Sequence, residues 1–386
     1  MKRVGIIFSF DMNWVGGVNY FKNLISAVYE LPDSKIEIVI FTGLKTSINY
    51  FEGFPVISII RNSIFDRGTF SWILRKFWMK IFSYDLFLER LLKKYDVDVL
   101  SHSGWIGKNS KIPTIGWIVD FQHIHLPELF SRQEIKLRNT VFKDLCRYCT
   151  TVIVSSYDAL SDLKKFSPAC EIKSQVLQFA VSISDQNVIL PSRREIELKY
   201  KFSGNFIHLP NQFWRHKNHK VVIEALGQLR LEGKNVLILA SGNTEDYLRP
   251  KYFSELMTQA KAFGVVENFI PLGLVPIIDL TALMIYSTAM INPSFFEGWS
   301  TSVEEAKSLG KLIILSDISV HREQNPSHAI YFKPEDSSEL AAILWEVWTK
   351  PDVMEDVENV RIETSKRRYE FAKKYQQIVL HVESKE

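Results

Sequence analysis

The stretch "AMINPSFFEGWSTSVEEAKSLG", Ala289 to Gly310, decides the fold. "AMINPS" reads as a short buried strand and "FFEGW" as a tight loop. "STSVEEAKSLG" reads as a helix, closed by Gly310 as its C-cap. A strand feeding a helix through a short loop is half of a β–α–β unit, and such units build parallel sheets with helices on both faces. The same stretch carries three carboxylates, Glu297, Glu304 and Glu305, among small and aromatic residues. An ionised group in that company is costly unless it has a partner or a task.

The pattern repeats in both directions. "RVGIIFSF", "EIVIFT", "VDVLSHS", "PTIGWIV" and "TTVIVSS" read as buried strands in the first half, with amphipathic stretches such as "YFKNLISAVYEL" and "YDLFLERLLKKY" between them. A polar stretch at residues 182–200 reads as a linker. The pattern then restarts with "NFIHLPN", "NVLILASG", "NFIPLGLV", "AMINPS" and "KLIILSD", and with "HKVVIEALGQLRLEG" as one of the helices. The expectation is two doubly wound domains, residues 1–185 and 186–365. A terminal helix, residues 366–386, has Tyr369, Ala372, Tyr375 and Val379 near one face, and no strand follows it. That helix is expected to cross back onto the first domain.

Composition narrows the function. A chain of 386 residues is long for one core and suits two domains. Apolar content of 46%, charged content of 24% and a net charge of +3 suit a soluble globular protein and give no sign of a nucleic-acid partner. Three cysteines make a disulfide framework improbable. Cys146-x-x-Cys149 has no second Cys/His pair and reads as two small apolar residues on a helix. "MKRVGIIFSF" reads as a first strand, because Asp11 cuts the apolar run short and no cleavage site follows. No apolar run approaches the roughly 18 residues of a membrane span.

In doubly wound sheets, ligands bind beyond the carboxyl ends of the strands. Four such junctions carry chemistry. At the first, Thr301-x-x-Glu304 and Ser302-x-x-Glu305 both fit a capping box, and Glu304 is assigned to that role. Glu297 precedes the helix and cannot belong to a box. Backbone N–H groups from Gly298 through Trp299 and Ser300 to Thr301 would point outward as an anion site. Acids on either side of a phosphate site suit a sugar nucleotide, which has hydroxyls on both sides of its phosphates. At the second, "HLPNQFWRHKNHKVVIEAL", the residues Gln212, Arg215, His216, Lys217 and His219 crowd one loop, which suits an anionic leaving group. At the third, "WIVDFQHIHLPELFS", Asp120, His123 and His125 follow a strand and could carry a proton or hold a phosphate. At the fourth, "DMNWVGGVNYF", Gly16 and Gly17 would let the chain turn tightly beside a ligand. The Asp96-x-Asp98 pair lies at the opposite, amino end of its strand and is set aside.

With these junctions the sequence resembles the retaining glycosyltransferases of family 4, with the GT-B fold, of the type found in bacterial surface-polysaccharide clusters. The most specific element is Glu297 and Glu305 with seven residues between them, set in "NPSFFEGWSTSVEEAKSLGKLIILSD". "NQFWRHKNH" and "DFQHIHLPE" are similar to that subgroup. The resemblance spans nearly the whole chain and is looser over residues 30–100, where acceptors bind. It implies that Glu297 contacts hydroxyls of the donor sugar and that Gly298 to Ser300 offer N–H groups to the diphosphate. It implies that Glu305 holds the ribose, Lys217 the phosphates, and Gly17 the glycine-rich first loop. Leu274, within Leu272 to Val275, would line the base. Two departures stand out. Asn211 and Gln212 occupy the place of a usual arginine, with Arg215 as the substitute. Val119-Asp120 replaces a usual His-Asp pair, with His123 as the substitute.

The resemblance implies transfer of a mannose-like or other hexose from a GDP- or UDP-linked donor. The acceptor would be a hydroxyl of a growing glycan, lipid-linked or free, in O-antigen, lipopolysaccharide or capsule synthesis. It implies no metal and no cofactor beyond the nucleotide-sugar co-substrate, and a cytoplasmic enzyme, peripheral on the inner membrane face. Competing readings are a sugar-nucleotide epimerase on the same fold, a non-catalytic sugar-nucleotide sensor, and a two-carboxylate hydrolase. The last fits worst, since both acids flank one anion site on a single segment. "RNSIFDRGTFSWILRKFWMKIF", Arg61 to Phe82, mixes basic and aromatic residues as membrane-surface segments do, or as an acceptor groove or buried helix would.

Overall fold

The computed structural model describes residues 1–8, 15–55, 58–108, 110–183, 189–246, 249–350 and 357–383. The chain forms two compact units. One holds Met1–Ile124, Ser131–Ala180 and Lys366–Glu386; the other holds His125–Phe130 and Val181–Ser365.

The first unit is built on a parallel sheet of β1 (Lys2–Ile7), β2 (Ile36–Thr42), β3 (Ser58–Arg61), β4 (Val99–Ser101), β5 (Thr114–Ile118), β6 (Thr151–Val154) and β7 (Ser174–Val176). Their spatial order is β3-β2-β1-β4-β5-β6-β7. Its helices are α1 (Val15–Tyr29), α2 (Phe70–Phe82), α3 (Leu86–Lys94), α4 (Gln122–His125), α5 (Arg132–Tyr148) and α6 (Tyr157–Phe166). The central strands are near-continuous Val, Ile and Leu because both of their faces are covered. The edge strands β3, "SIIR", and β7, "SQV", lack a fully buried face and so lack the apolar run that reveals a strand in sequence.

The second unit opens with α7 (Arg193–Tyr200) and continues β8 (Ile207–Leu209), α8 (His219–Leu231), β9 (Ile238–Ser241), α9 (Tyr252–Ala262) and β10 (Phe269–Gly273). It proceeds through α10 (Ile277–Tyr286), β11 (Ala289–Asn292), α11 (Thr301–Leu309), β12 (Ile313–Ser316), α12 (Ser319–Gln324), β13 (Ala329–Phe332) and α13 (Ser337–Thr349). The parallel sheet has the order β10-β9-β8-β11-β12-β13. Chain direction across the sheet reverses between β8 and β11, so their carboxyl ends frame a crevice at the topological switch point. Gly242, just past β9, has φ 154°, and a Cβ there would meet the Asn211 carbonyl oxygen at 2.3 Å. Only glycine permits that approach between the loops after β8 and β9.

The terminal helix α14 (Val357–His381) belongs to the first unit from Lys366 onward. Its buried face carries Phe371, Ala372, Tyr375, Ile378 and Val379, whereas Tyr369 is largely exposed. The sequence expectation thus placed Tyr369 on the wrong face. Tyr375 Oη donates to Ser101 Oγ at 2.9 Å. Lys2 Nζ donates to the carbonyls of Leu380 and Val382 at 3.0 and 3.2 Å, satisfying the orphan end of the helix.

Further differences from expectation have local causes. Residues 182–200 are not wholly a polar linker: α7 lies within them, started by a capping box of Ser192 and Glu195. Gly16 and Gly17 are not a loop but the first turn of α1, and the chain before them, 9–14, lies outside the described residues. Asp98 sits at the amino end of β4, where its Oδ2 accepts the Arg3 N–H at 2.7 Å, a structural role.

Candidate functional site

Two loops of the second unit meet at the switch point, one after β8 and one after β11. They are stitched backbone to backbone by the Phe295 N–H, which donates to His216 O at 2.8 Å. Asn218, buried and left-handed at φ 54°, reinforces the seam. Its amide donates to Pro293 O at 3.1 Å and to Pro334 O at 2.8 Å. Asparagine tolerates this backbone region and supplies the donors, so one residue turns the chain and ties three segments.

The seam brings Lys217 and Glu297 together. Lys217 Nζ lies 2.6 Å from Glu297 Oε1, with both side chains mostly buried. Ser294 Oγ lies 2.7 Å from the same oxygen, and Asn292 Nδ2 lies 3.4 Å from it. Ser294 Oγ is also 2.6 Å from Asn292 Oδ1, so its single proton serves one of the two oxygens at a time. Glu297 Oε2 takes no hydrogen bond from the described residues. Burial alone would push the Glu297 carboxyl up. The Lys217 ammonium, with lesser contributions from His321 and His216, outweighs it and holds the group at about 2. Burial depresses His216 to about 3 and His321 to about 4, so both imidazoles are neutral at pH 7. Lys217 therefore carries the pairing there.

Glu305 presents the opposite case. It is buried on the first face of α11, no described residue hydrogen-bonds its carboxyl, and burial pushes it up to about 8. A buried acid whose carboxyl no described residue hydrogen-bonds is a candidate functional group.

Glu304 is corrected. The N-cap of α11 is Ser300, which makes no side-chain cap, and Glu304 lies one position beyond the capping-box place. It is instead buried against α12. Lys307 Nζ lies 3.1 Å from Glu304 Oε1 and Gln324 Nε2 donates to that oxygen at 3.0 Å. The Ser300 N–H is also corrected: it donates to Gln324 Oε1 at 3.2 Å and is not an open anion donor. The N–H groups of Gly298 and Thr301 have no partner among the described residues.

The remaining candidates take separate roles within their own units. Gln212 accepts the Asn243 N–H at 2.6 Å and so ties the loops after β8 and β9. Arg215 is exposed and makes no ion pair among the described residues. His219 is not part of the basic loop. It starts α8 inside the core, stacked 4.3 Å from Phe213. Leu274 is exposed just past β10, after Gly273 at φ 68°. Asp120, His123, Gly16 and Gly17 belong to the first unit. Asp120 Oδ1 accepts the Gln122 N–H at 3.0 Å and faces Arg138 at 3.6 Å. His123 is buried against Phe142, with Nε2 3.0 Å from Asn139 Oδ1, and burial lowers its pKa. His125 clusters with the second unit, its ring 5.1 Å from Phe296, which accounts for part of the aromatic crowding.

Asn292, Ser294 and Gln324 were not singled out by sequence. The readable signal for the first two was a polar pair, Asn and Ser, at the end of an otherwise apolar strand. Nothing local to Gln324 marked it.

Residues 194–367 match the family model described as "Glycosyl transferases group 1". Comparison with curated proteins gives no match. Among solved structures, a crystal structure of Anabaena HepE in complex with UDP and glucose is similar at TM-score 0.68 and 15% identity, over 99% of this chain and 100% of that one. The fold is GT-B. Sucrose-phosphate synthase from Thermosynechococcus elongatus is similar at TM-score 0.65 and 15% identity, over 98% and 97% of the two chains. WaaG, a glycosyltransferase involved in lipopolysaccharide biosynthesis, is similar at TM-score 0.61 and 14% identity, over 98% and 99%. In this GT-B chain the switch-point residues lie inside the segment matched by the group 1 model.

Proposed function

We propose that the protein is a retaining glycosyltransferase that moves a sugar from a nucleoside diphosphate sugar to a hydroxyl of a surface glycan, without a metal. The observations that carry this reading are the pairing of Glu297 with Lys217 and the buried Glu305, eight residues on in the chain, whose carboxyl no described residue hydrogen-bonds. Lys217 would pass from Glu297 to the diphosphate and offset the charge that grows on the leaving group. The Gly298 and Thr301 N–H groups, at the head of α11, would add donors. Glu297 Oε2 would accept hydroxyls of the sugar and Glu305 those of the ribose. Glu297, ionised and contacted by Lys217, Ser294 and Asn292, would position the sugar and is not itself a nucleophile. Arg215, exposed and without an ion pair among the described residues, would add a cation for the diphosphate, and Leu274 would lie along the base. In the first unit, Gly16 and Gly17 would face the diphosphate. Asp120 accepts hydrogen bonds, but the buried, neutral His123 suits orientation of its loop better than proton carriage.

A UDP-linked sugar is the first donor to test, because HepE structures hold UDP-glucose as well as UDP and glucose; a GDP-linked hexose is the second. Similar chains named for lipopolysaccharide, WaaB and WaaG, support a glycan acceptor of that kind. The test is a panel of UDP- and GDP-sugars incubated with glycan acceptors, with and without EDTA. The expected result is nucleotide release with a product that keeps the donor's anomeric configuration, unchanged by chelation. An epimerised donor, or tight binding with no turnover, would replace the reading by an epimerase or a sensor.

A further inference from the structure

Helix α2 holds an apolar stripe outward. At about 100° per residue, Phe70, Ile73, Leu74, Phe77 and Ile81 fall within an arc of about 100°, the width of a core-facing stripe. Yet these side chains are 81%, 52%, 37%, 60% and 55% exposed, and no residue of α2 is buried. The inward side is mixed: Trp72, Trp78 and Met79 are half-buried there, and among them Arg75 Nε lies 2.7 Å from the buried Asp85 while its Nη1 donates to Ile64 O at 3.2 Å. The start is fixed by Thr69, whose side chain accepts from the Trp72 N–H. The helix is thus anchored by a charge pair beneath and holds its apolar side outward.

The occupant is indicated by charge. The 13 residues of α2 contain no acid, and Lys76 and Lys80, both exposed, lie about 60° and 20° beyond one edge of the stripe. Arg67 is exposed one turn before the helix. An apolar arc edged by cations complements a surface that is apolar within and anionic at its rim. A second copy of this chain would set like charges against each other. No described helix is long and apolar enough to cross a membrane, and α2 itself has only 13 residues.

We propose that α2 docks flat on an anionic bilayer, with the Phe70–Ile81 stripe among the acyl-chain ends and Lys76 and Lys80 at the headgroups. The inference does not rest on the catalytic reading. Vesicle binding is measured without turnover, so a donor panel that fails leaves its result standing.

The test is flotation of the full chain with phosphatidylcholine vesicles, with and without phosphatidylglycerol. The expected result is co-flotation with the anionic vesicles, weakened by salt. Phe77→Ser/Ile81→Ser should abolish it. Lys76→Gln/Lys80→Gln should weaken partition roughly thirtyfold, the scale of losing two cations at a membrane surface. Circular dichroism and the thermal midpoint of both variants should match the parent, which excludes unfolding as the cause. Absence from the anionic vesicles, or equal binding to both vesicle types that the lysine variant leaves unchanged, would overturn the proposal. So would a concentration-dependent dimer lost in Phe77→Ser/Ile81→Ser.

Discussion

Helices α11 and α2 break the ordinary distribution of side chains in opposite senses. The start of α11 buries Glu304 and Glu305, with Glu297 nearby; α2 shows water six large apolar side chains, five of them on one stripe. Each inversion is costly if the fold is the only consideration, through desolvated charge at one place and unburied apolar surface at the other. Each is also locally consistent. The α11 region supplies partners for Glu297 and Glu304 but not Glu305, and α2 is held by an ion pair on its inner side. The difference teaches where a ligand is expected: at the carboxyl left without a partner and at the apolar stripe left without a cover.

The largest effect that would break this comparison lies at Lys217. Lys217→Ala should lower turnover by about two orders of magnitude, the scale of losing a key electrostatic contact to a leaving group. It should also invert the acid behaviour of Glu297. With Lys217 present, the folded carboxyl sits near 2, below its ordinary 4.5. Its contribution to stability is then complete above 4.5 and lost as pH falls toward 2. Without the ammonium, burial outweighs the weaker Ser294 and Asn292 contacts and the sign reverses, so stability is lost as pH rises. Denaturant titrations from pH 2 to 8 read this directly; an unchanged acid limb together with near-normal turnover would remove Glu297 and Lys217 from the site.

Glu305 sharpens the comparison with a smaller effect. Its folded pKa of about 8 lies above the ordinary 4.5, so stability is fully present below 4.5 and is lost as pH rises to 8. A ligand that donates hydroxyl hydrogen bonds favours the ionised form. Affinity for UDP, followed by calorimetry, should therefore rise with pH by up to about tenfold per unit between pH 7 and 8, and then level off. Glu305→Gln should bind more weakly and show no such slope. A slope that survives in the variant would assign the proton to another group.

How much of this was legible depends on how local each determinant is. The two-domain α/β fold was readable because parallel strands covered on both faces are written as apolar runs, as in β5, β11 and β12. Strands β3, β7 and β13, all at sheet edges, were missed: β3 and β7 carry no such run, and β13 only a short one that is mostly half-buried. The Glu297–Lys217 pair joins residues far apart in the chain, and its two halves were visible only as separate junctions. The failure at Glu304 is instructive. Its spacing from Thr301 fits a capping box, but the helix begins one residue earlier, and that offset turns a cap into the buried anchor of α12. Gln324, which completes the anchor, lies on another helix, and no spacing in sequence points to it. The inversion of α2 was half legible. Its basic and aromatic content showed in sequence, but that the apolar side faces outward follows from Arg75 and Asp85 meeting across two helices.

The smallest expected effect concerns the stability of α2. If the stripe served the fold, Phe77→Ser would cost about 3 kcal/mol or more, as truncating a buried aromatic side chain does. Phe77 is 60% exposed, so the change should instead fall within about 0.5 kcal/mol of zero by denaturant titration. The contrast with Phe121 gives the scale, since that fully buried residue should show the larger cost when changed to Ala. A large loss at Phe77 would mean that the stripe is covered within the protein, and the two helices would then no longer form an opposed pair.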